Sequence, residues 1–208
     1  GRGKTSELNP SYKSTPANVT FYYQGRPRKL AHYAFFGPEV TFAHEVARAF
    51  PHDQHILIKS AATGSSIKQW QPDQPLYRSL IRQLGLALPN DTNRVDAIIW
   101  MQGEQDAKKI ADAQLYQVRF NQFIQALRQS LKAPNSLVVM GRVNPQDPGF
   151  KMVELVQSSQ AQLARTVPNT VLVDTQGLGT AFDLVHYNAQ GQMELGRRLA
   201  QAYILRRR

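Results

Sequence analysis

Four short stretches of the chain are almost continuously apolar: 55–62, 95–101, 136–141 and 170–174. Runs of this length, rich in Ile, Leu and Val, predict strands buried on both faces. The first ends in the polar turn Thr63-Gly64-Ser65-Ser66 and the second in Gln102-Gly103-Glu104. Segments with helical periodicity lie between and beyond them. Val40, Ala43, Val46, Ala47 and Phe50 predict a helix over 38–50, with Pro38 in its first turn. Val118, Phe120, Phe123, Ile124 and Leu127 predict a second over 115–131. Two more are expected over 153–167 and 189–205, the last with Asn188 as its cap. Alternating strands and helices imply right-handed crossovers and a mostly parallel sheet covered on both faces. The expected fold is therefore α/β, a three-layer α/β/α sandwich in a single domain over 1–208. The stretch 9–36, with Pro10, Pro16 and Pro27 among clustered aromatics, reads as a long surface excursion holding one hairpin.

Composition narrows the chemistry. The 208 residues contain no cysteine, which excludes disulfides, thiolate metal sites and a cysteine nucleophile. No stretch reaches the roughly 18 continuous apolar residues of a membrane span. The formal charge is +10. Residues 1–30 contribute +5 of it and residues 190–208 another +4, so the excess is terminal. Basic ends of this kind read as solvated tails. Without a zinc-finger spacing or a ribonucleoprotein motif, a nucleic-acid partner is not expected.

Ligands of parallel sheets bind beyond the carboxyl ends of the strands, so the polar groups there are the candidates. Asp183 and His186 lie three residues apart in the loop between the last strand and the last helix. An Asp so placed can hold the Nδ1–H of the imidazole and leave Nε2 free to take a proton from a nucleophile. At the end of the second strand, the Gln102 side-chain amide can donate to a developing oxyanion. The plainer alternative for this block is a polar turn with Asp106 capping the following helix. Other patterns are decoys. Gly3-Lys4-Thr5 lacks the rest of a phosphate-binding loop, and His44-Glu45 is followed by Arg48 where a zinc motif needs His.

Trp100-Met101-Gln102-Gly103-Glu104-Gln105-Asp106-Ala107 resembles the signature of the sialate O-acetylesterase-like group, carbohydrate esterase family 6, within the SGNH hydrolases. Phe36-Gly37-Pro38-Glu39 resembles the family's Gly-Pro-Glu segment. Residues 59–70 resemble its Gly-Gly-Thr-Ser block, with Gly64, Ser66 and Trp70 matching and Thr63 in place of the first Gly. Asp183-Leu184-Val185-His186 resembles its Asp-Gly-x-His block, with Leu184 replacing Gly. The resemblance implies an SGNH-type fold and a carbohydrate O-acetylesterase acting through a Ser-His-Asp acyl-enzyme, without metal or organic cofactor. It implies His186 as general base, Asp183 as its orienting acid and Glu104 as a supporting carboxylate. The oxyanion donors would be Gln102 and the Gly64 N–H, and Trp70 would contact substrate. These groups must then converge on one oxygen-binding hollow.

The family's serine lies in Gly-Gln-Ser-Asn after the first strand, commonly just before Gly-Arg-Gly, and the chain opens on Gly1-Arg2-Gly3. Ser6, Ser11 and Ser14 match no motif position. The nucleophile and first strand are thus expected upstream of residue 1, and the 208 residues alone are expected to fold poorly and to hydrolyse nothing. The expected partner is an acetylated carbohydrate or small acetyl ester. The family favours a periplasmic or secreted location, while neither the sugar nor the oligomeric state is legible. The rival reading is a non-catalytic carbohydrate-binding or scaffold protein that has lost its serine.

Overall fold

A computed structural model describes residues 3–31, 34–88 and 95–207. The chain groups its contacts into two compact units, one from 1–60 with 175–208 and one from 61–174.

The discontinuous unit contains strands β1 (Gly3–Lys4), β2 (Val19–Tyr23), β3 (Arg26–Arg28), β4 (Phe35–Phe36) and β5 (His55–Lys59). Its helices are α1 (Glu39–Ala49) and α5 (Ala189–Arg207). β2 lies between antiparallel β3 and parallel β5. The β2–β3 turn is Gln24-Gly25, both residues at positive φ (54° and 73°), as a two-residue turn matched to strand twist requires. The excursion expected over 9–36 is thus corrected in part. Its hairpin exists, but Val19 and Phe21 are buried core residues and β2 is the middle strand of its sheet. The alternation of Val19 and Phe21 with Thr20 and Tyr22 specifies that strand; the prolines around it mask the signal.

Helices α1 and α5 pack closely because Gly196 permits it. A Cβ at Gly196 would sit 2.3 Å from the Pro38 carbonyl oxygen. Asn188 caps α5 as expected, accepting from the Gly191 N–H at 2.9 Å. Asn188→Ala should therefore cost about 1 kcal/mol of stability, measurable by denaturant unfolding. The basic carboxyl-terminal helix is partly neutralised from within. Arg198 pairs with Glu194 at 2.9 Å, Arg197 pairs with the same carboxylate, and Arg207 reaches Asp53 at 2.8 Å.

The continuous unit contains the parallel strands β6 (Ala97–Trp100), β7 (Leu137–Gly141) and β8 (Thr170–Val173), in that order across the sheet. Its helices are α2 (Pro75–Ala87), α3 (Ile110–Ser130) and α4 (Val153–Thr166). Tyr116, Phe120, Phe123 and Ile124 of α3 form the centre of the core with Val138 and Met140 of β7. Val118, expected on that inner face, is instead exposed, and α3 begins five residues earlier than its apolar period suggests. Helix α2 was not expected, although Pro75 occupies its first turn. The α/β class and the parallel pairing hold, with the main strands in two three-stranded sheets. Burial on both faces holds for β7 alone; Ile56 of β5 and Ile99 of β6 remain over a third exposed because each strand is an edge of its own sheet.

Candidate active site

The loop 175–188 is folded back on itself. Thr180 bridges to Tyr187, and the Ala181 N–H donates to the His186 carbonyl at 2.6 Å. Inside this closure the Asp183 carboxylate makes three bonds. Oδ1 accepts from the N–H groups of Val185 (3.0 Å) and His186 (2.9 Å), and Oδ2 lies 2.6 Å from His186 Nδ1. The first two are a local turn formed by an Asp with its own following backbone. They hold the carboxylate in place before it meets the ring. Partial burial raises the Asp183 pKa, but the bonds from the His186 ring and the two backbone N–H groups outweigh it and hold the carboxyl at about 2. Among the described residues His186 Nε2 has no hydrogen-bond partner, and the ring is half-exposed. A carboxylate on Nδ1 with Nε2 open is an arrangement that lets an imidazole accept a proton at Nε2.

In the continuous unit, Gln102 and Asp106 form a buried knot. Asp106 is fully buried and accepts from the Ile67 N–H at 3.0 Å and from Gln102 Nε2 at 2.6 Å. Burial raises its pKa, and the bonds from Gln102 and Ile67 oppose the rise only in part. Gln102 Nε2 also donates to the Ser65 carbonyl at 2.9 Å, which fixes the turn carrying Gly64. The Ser65 hydroxyl accepts from Trp70 Nε1 at 2.9 Å, and the Gln102 carbonyl accepts from the Tyr116 hydroxyl at 3.0 Å. Gly103 stands in this wall at φ 138°, where a Cβ would come within 2.9 Å of Val143 and 3.1 Å of Val156. Gly103→Ala should destabilise the protein by about 1–3 kcal/mol, read as a lowered unfolding midpoint.

These positions sort the expected residues. Asp183 and His186 meet as expected. Gln102 is 9% exposed and both protons of its amide are committed, to Ser65 and to Asp106, so it stands as a structural link rather than a vacant donor. Gly64 is exposed in a left-handed turn at φ 66° with open space around it. Glu104 is partly exposed beside the Gly103 turn. Trp70 is 5% exposed and packs edge-on against Trp100 at 5.5 Å, among the core side chains of its unit. Asp106 anchors Ile67 and Gln102 instead of capping α3. Ser6, Ser11 and Ser14 are exposed. Ser11 Oγ donates to Asn9, and Ser14 meets His44 only through its carbonyl. Sequence reasoning missed Ser65 and Gln160. The latter is buried and tied to the Val143 N–H at 2.9 Å; an amide at mid-helix carries no local signal of such a role.

The family model described as carbohydrate esterase, sialic acid-specific acetylesterase, matches residues 7–205. A probable carbohydrate esterase of Arabidopsis thaliana is 29% identical over 170 residues, covering 81% of this chain but 63% of the relative. The chain thus spans less than two thirds of that relative's length. A crystal structure of an Arabidopsis thaliana protein is similar with a TM-score of 0.85 at 25% identity, over 95% of this chain and 85% of that one. NanS is similar with a TM-score of 0.77 at 16% identity, over 96% and 92%. A carbohydrate acetylesterase from Xanthomonas citri is similar at 0.71 and 20% identity, over 92% and 49%. The last two likenesses show the fold alone.

Proposed function

We propose, from the premise that the chain belongs to the carbohydrate esterase family of sialic acid-specific acetylesterases, that the protein removes acetyl groups from carbohydrate hydroxyls through an acyl-enzyme. The observation carrying this reading is the 2.6 Å contact of Asp183 with His186 Nδ1, with Nε2 left open. A serine hydroxyl attacks the ester carbonyl while His186 Nε2 accepts its proton. The imidazolium so formed is stabilised by Asp183 and then protonates the departing sugar oxygen. Water, deprotonated by the same nitrogen, releases acetate and frees the serine. No metal or organic cofactor takes part in this scheme. The oxyanion is held by backbone N–H groups, for which Gly64 is the candidate, on a turn that Gln102 fixes through Ser65. Direct donation by Gln102 requires release of that bond. The role of nucleophile is carried to none of Ser6, Ser11 and Ser14, which match no motif position.

The test is acetate release by the full-length protein from O-acetylated N-acetylneuraminic acid and from acetylated xylan fragments. It is paired with phosphonate labelling and peptide mass spectrometry to find the nucleophile. Release of no acetate from either, or a label on Ser6, Ser11 or Ser14, overturns the reading. The pH profile adds a check. Asp183, held at about 2 against an ordinary value near 3.8, contributes stability above its unfolded pKa that is lost only as the pH falls toward 2. It therefore stays ionised throughout a working range of mild acid to neutral pH. An acid limb of kcat/KM in that range should not arise from Asp183.

A further inference from the structure

The loop that holds the dyad also projects two apolar side chains that nothing in its own folding uses. Phe182 is 99% exposed, and Leu184 is 45% exposed. They flank Asp183, whose carboxylate is turned inward onto the His186 ring and the backbone of Val185 and His186. The segment is not loosely held. The Ala181 N–H to His186 carbonyl bond, the Leu184 N–H to Ala181 carbonyl bond at 3.0 Å and the Thr180–Tyr187 bridge close it from both sides. A phenyl ring almost wholly in water, on a loop so tied, is held open to contact from solvent.

Leu184 sharpens the argument. Its φ is 56°, a left-handed conformation that is strained for a bulky side chain and unstrained for Gly. Backbone geometry alone would favour Gly there. Instead the position carries a branched apolar side chain, partly exposed, two residues before the imidazole. Two exposed apolar groups thus share the turn that carries the proposed base. Trp70, the aromatic expected to contact substrate, is buried among the core side chains of its own unit.

We propose that Phe182 and Leu184 form an apolar rim that receives the C–H face of a pyranose ring, and so set selectivity for sugar esters over simple acetyl esters. This deepens the esterase reading and rests on it. An aromatic ring gains by lying against the apolar face of a sugar whose hydroxyls remain solvated at the edge. Phe182 supplies that flat surface. Leu184 limits how the ring tilts, and the acetyl-bearing hydroxyl is thereby turned toward Nε2. Acyclic acetates have no such face and gain nothing from the rim.

The experiment uses the full-length protein and reads binding apart from turnover. N-acetylneuraminic acid and methyl β-xyloside are titrated against wild type, Phe182→Ala, Phe182→Trp and Leu184→Gly, with acetate as the ringless probe, by saturation-transfer nuclear magnetic resonance and calorimetry. At least one sugar should bind wild type with its C–H protons saturated from the aromatic region. Phe182→Ala should weaken that sugar about tenfold and Phe182→Trp should restore it, while Leu184→Gly weakens it by a smaller factor. Failure of both sugars to bind wild type overturns the proposal, as does equal loss of sugar and acetate or a tenfold loss that Trp does not restore. A fall in the melting temperature of Phe182→Ala by several degrees also overturns it, since the ring would then be packing elsewhere. Acetate release is followed in parallel. Ring-selective binding without hydrolysis removes the esterase reading and keeps the rim, whereas hydrolysis without ring-selective binding does the reverse.

Discussion

Replacing His186 by Gln should lower kcat/KM of the full-length protein on an acetylated sugar by about 10⁴ or more. Gln retains bulk and can still hydrogen-bond near Asp183, but it cannot take a proton at the position of Nε2. Asp183→Asn should lose nearly as much, by a different route. Asn can accept from the Val185 and His186 N–H groups, so the loop persists, yet its amide favours the ring tautomer that carries the proton on the wrong nitrogen. The pair of losses should be far from additive, because the two residues act as one device. The double variant should be little slower than His186→Gln alone. A His186→Gln protein within tenfold of wild type removes the imidazole from the reaction. Additive losses remove Asp183 as its orienting partner.

The second large effect is on stability. Asp106→Leu should destabilise the protein by about 3–5 kcal/mol, because it strands the Ile67 N–H and one Gln102 proton in a dry core. At this chain length the loss is on the order of 10 °C in melting temperature. Asp106→Asn tests the cause. It keeps an acceptor and discards the buried charge, so its cost at neutral pH should stay within about 1 kcal/mol. The sign of the pH dependence follows from the raised pKa of Asp106. A carboxyl whose folded pKa lies above its unfolded one is most favourable to the fold below the unfolded value. That contribution is lost as the pH rises through the folded value. Wild-type stability should therefore decline relative to Asp106→Asn as the pH rises across mild acid, in denaturant titrations of both proteins. A parallel pair of profiles would show that Asp106 is not the group responsible.

The asymmetry between the two clusters explains what the sequence could disclose. Asp183 and His186 are three residues apart, so their contact is a local property of one turn, and a reader of the chain can propose it. Ile67 and Asp106 are 39 residues apart, and their bond depends on how β6 and the turn after Ser66 are packed. No pattern of residue types encodes that separation. Asp106 thus looked like a helix cap, which is what an Asp before a helix most often is. The fold shows the same division. β7 was legible because Val138, Val139 and Met140 are buried on both faces, which requires an unbroken apolar run. β2 was obscured because Pro16 and Pro27 lie close to a strand of only five residues. Helix α2 was legible but unread: Leu76, Tyr77, Leu80, Ile81 and Leu84 recur at helical spacing and pack on the core. Trp70 illustrates a harder limit. Whether an indole faces solvent or Trp100 is decided by its neighbours in space, and a sequence match gives no information on that.

The discontinuous make-up of one unit has a consequence for biosynthesis. Residues 61–174 are contiguous, so their three strands and three helices can associate while the chain is still emerging from the ribosome. The other unit is complete only when α5, translated after residue 174, packs on α1. The proton acceptor travels with that later segment. Premature termination between residues 175 and 185 would therefore yield a polypeptide with its βαβαβ half complete and no base at all.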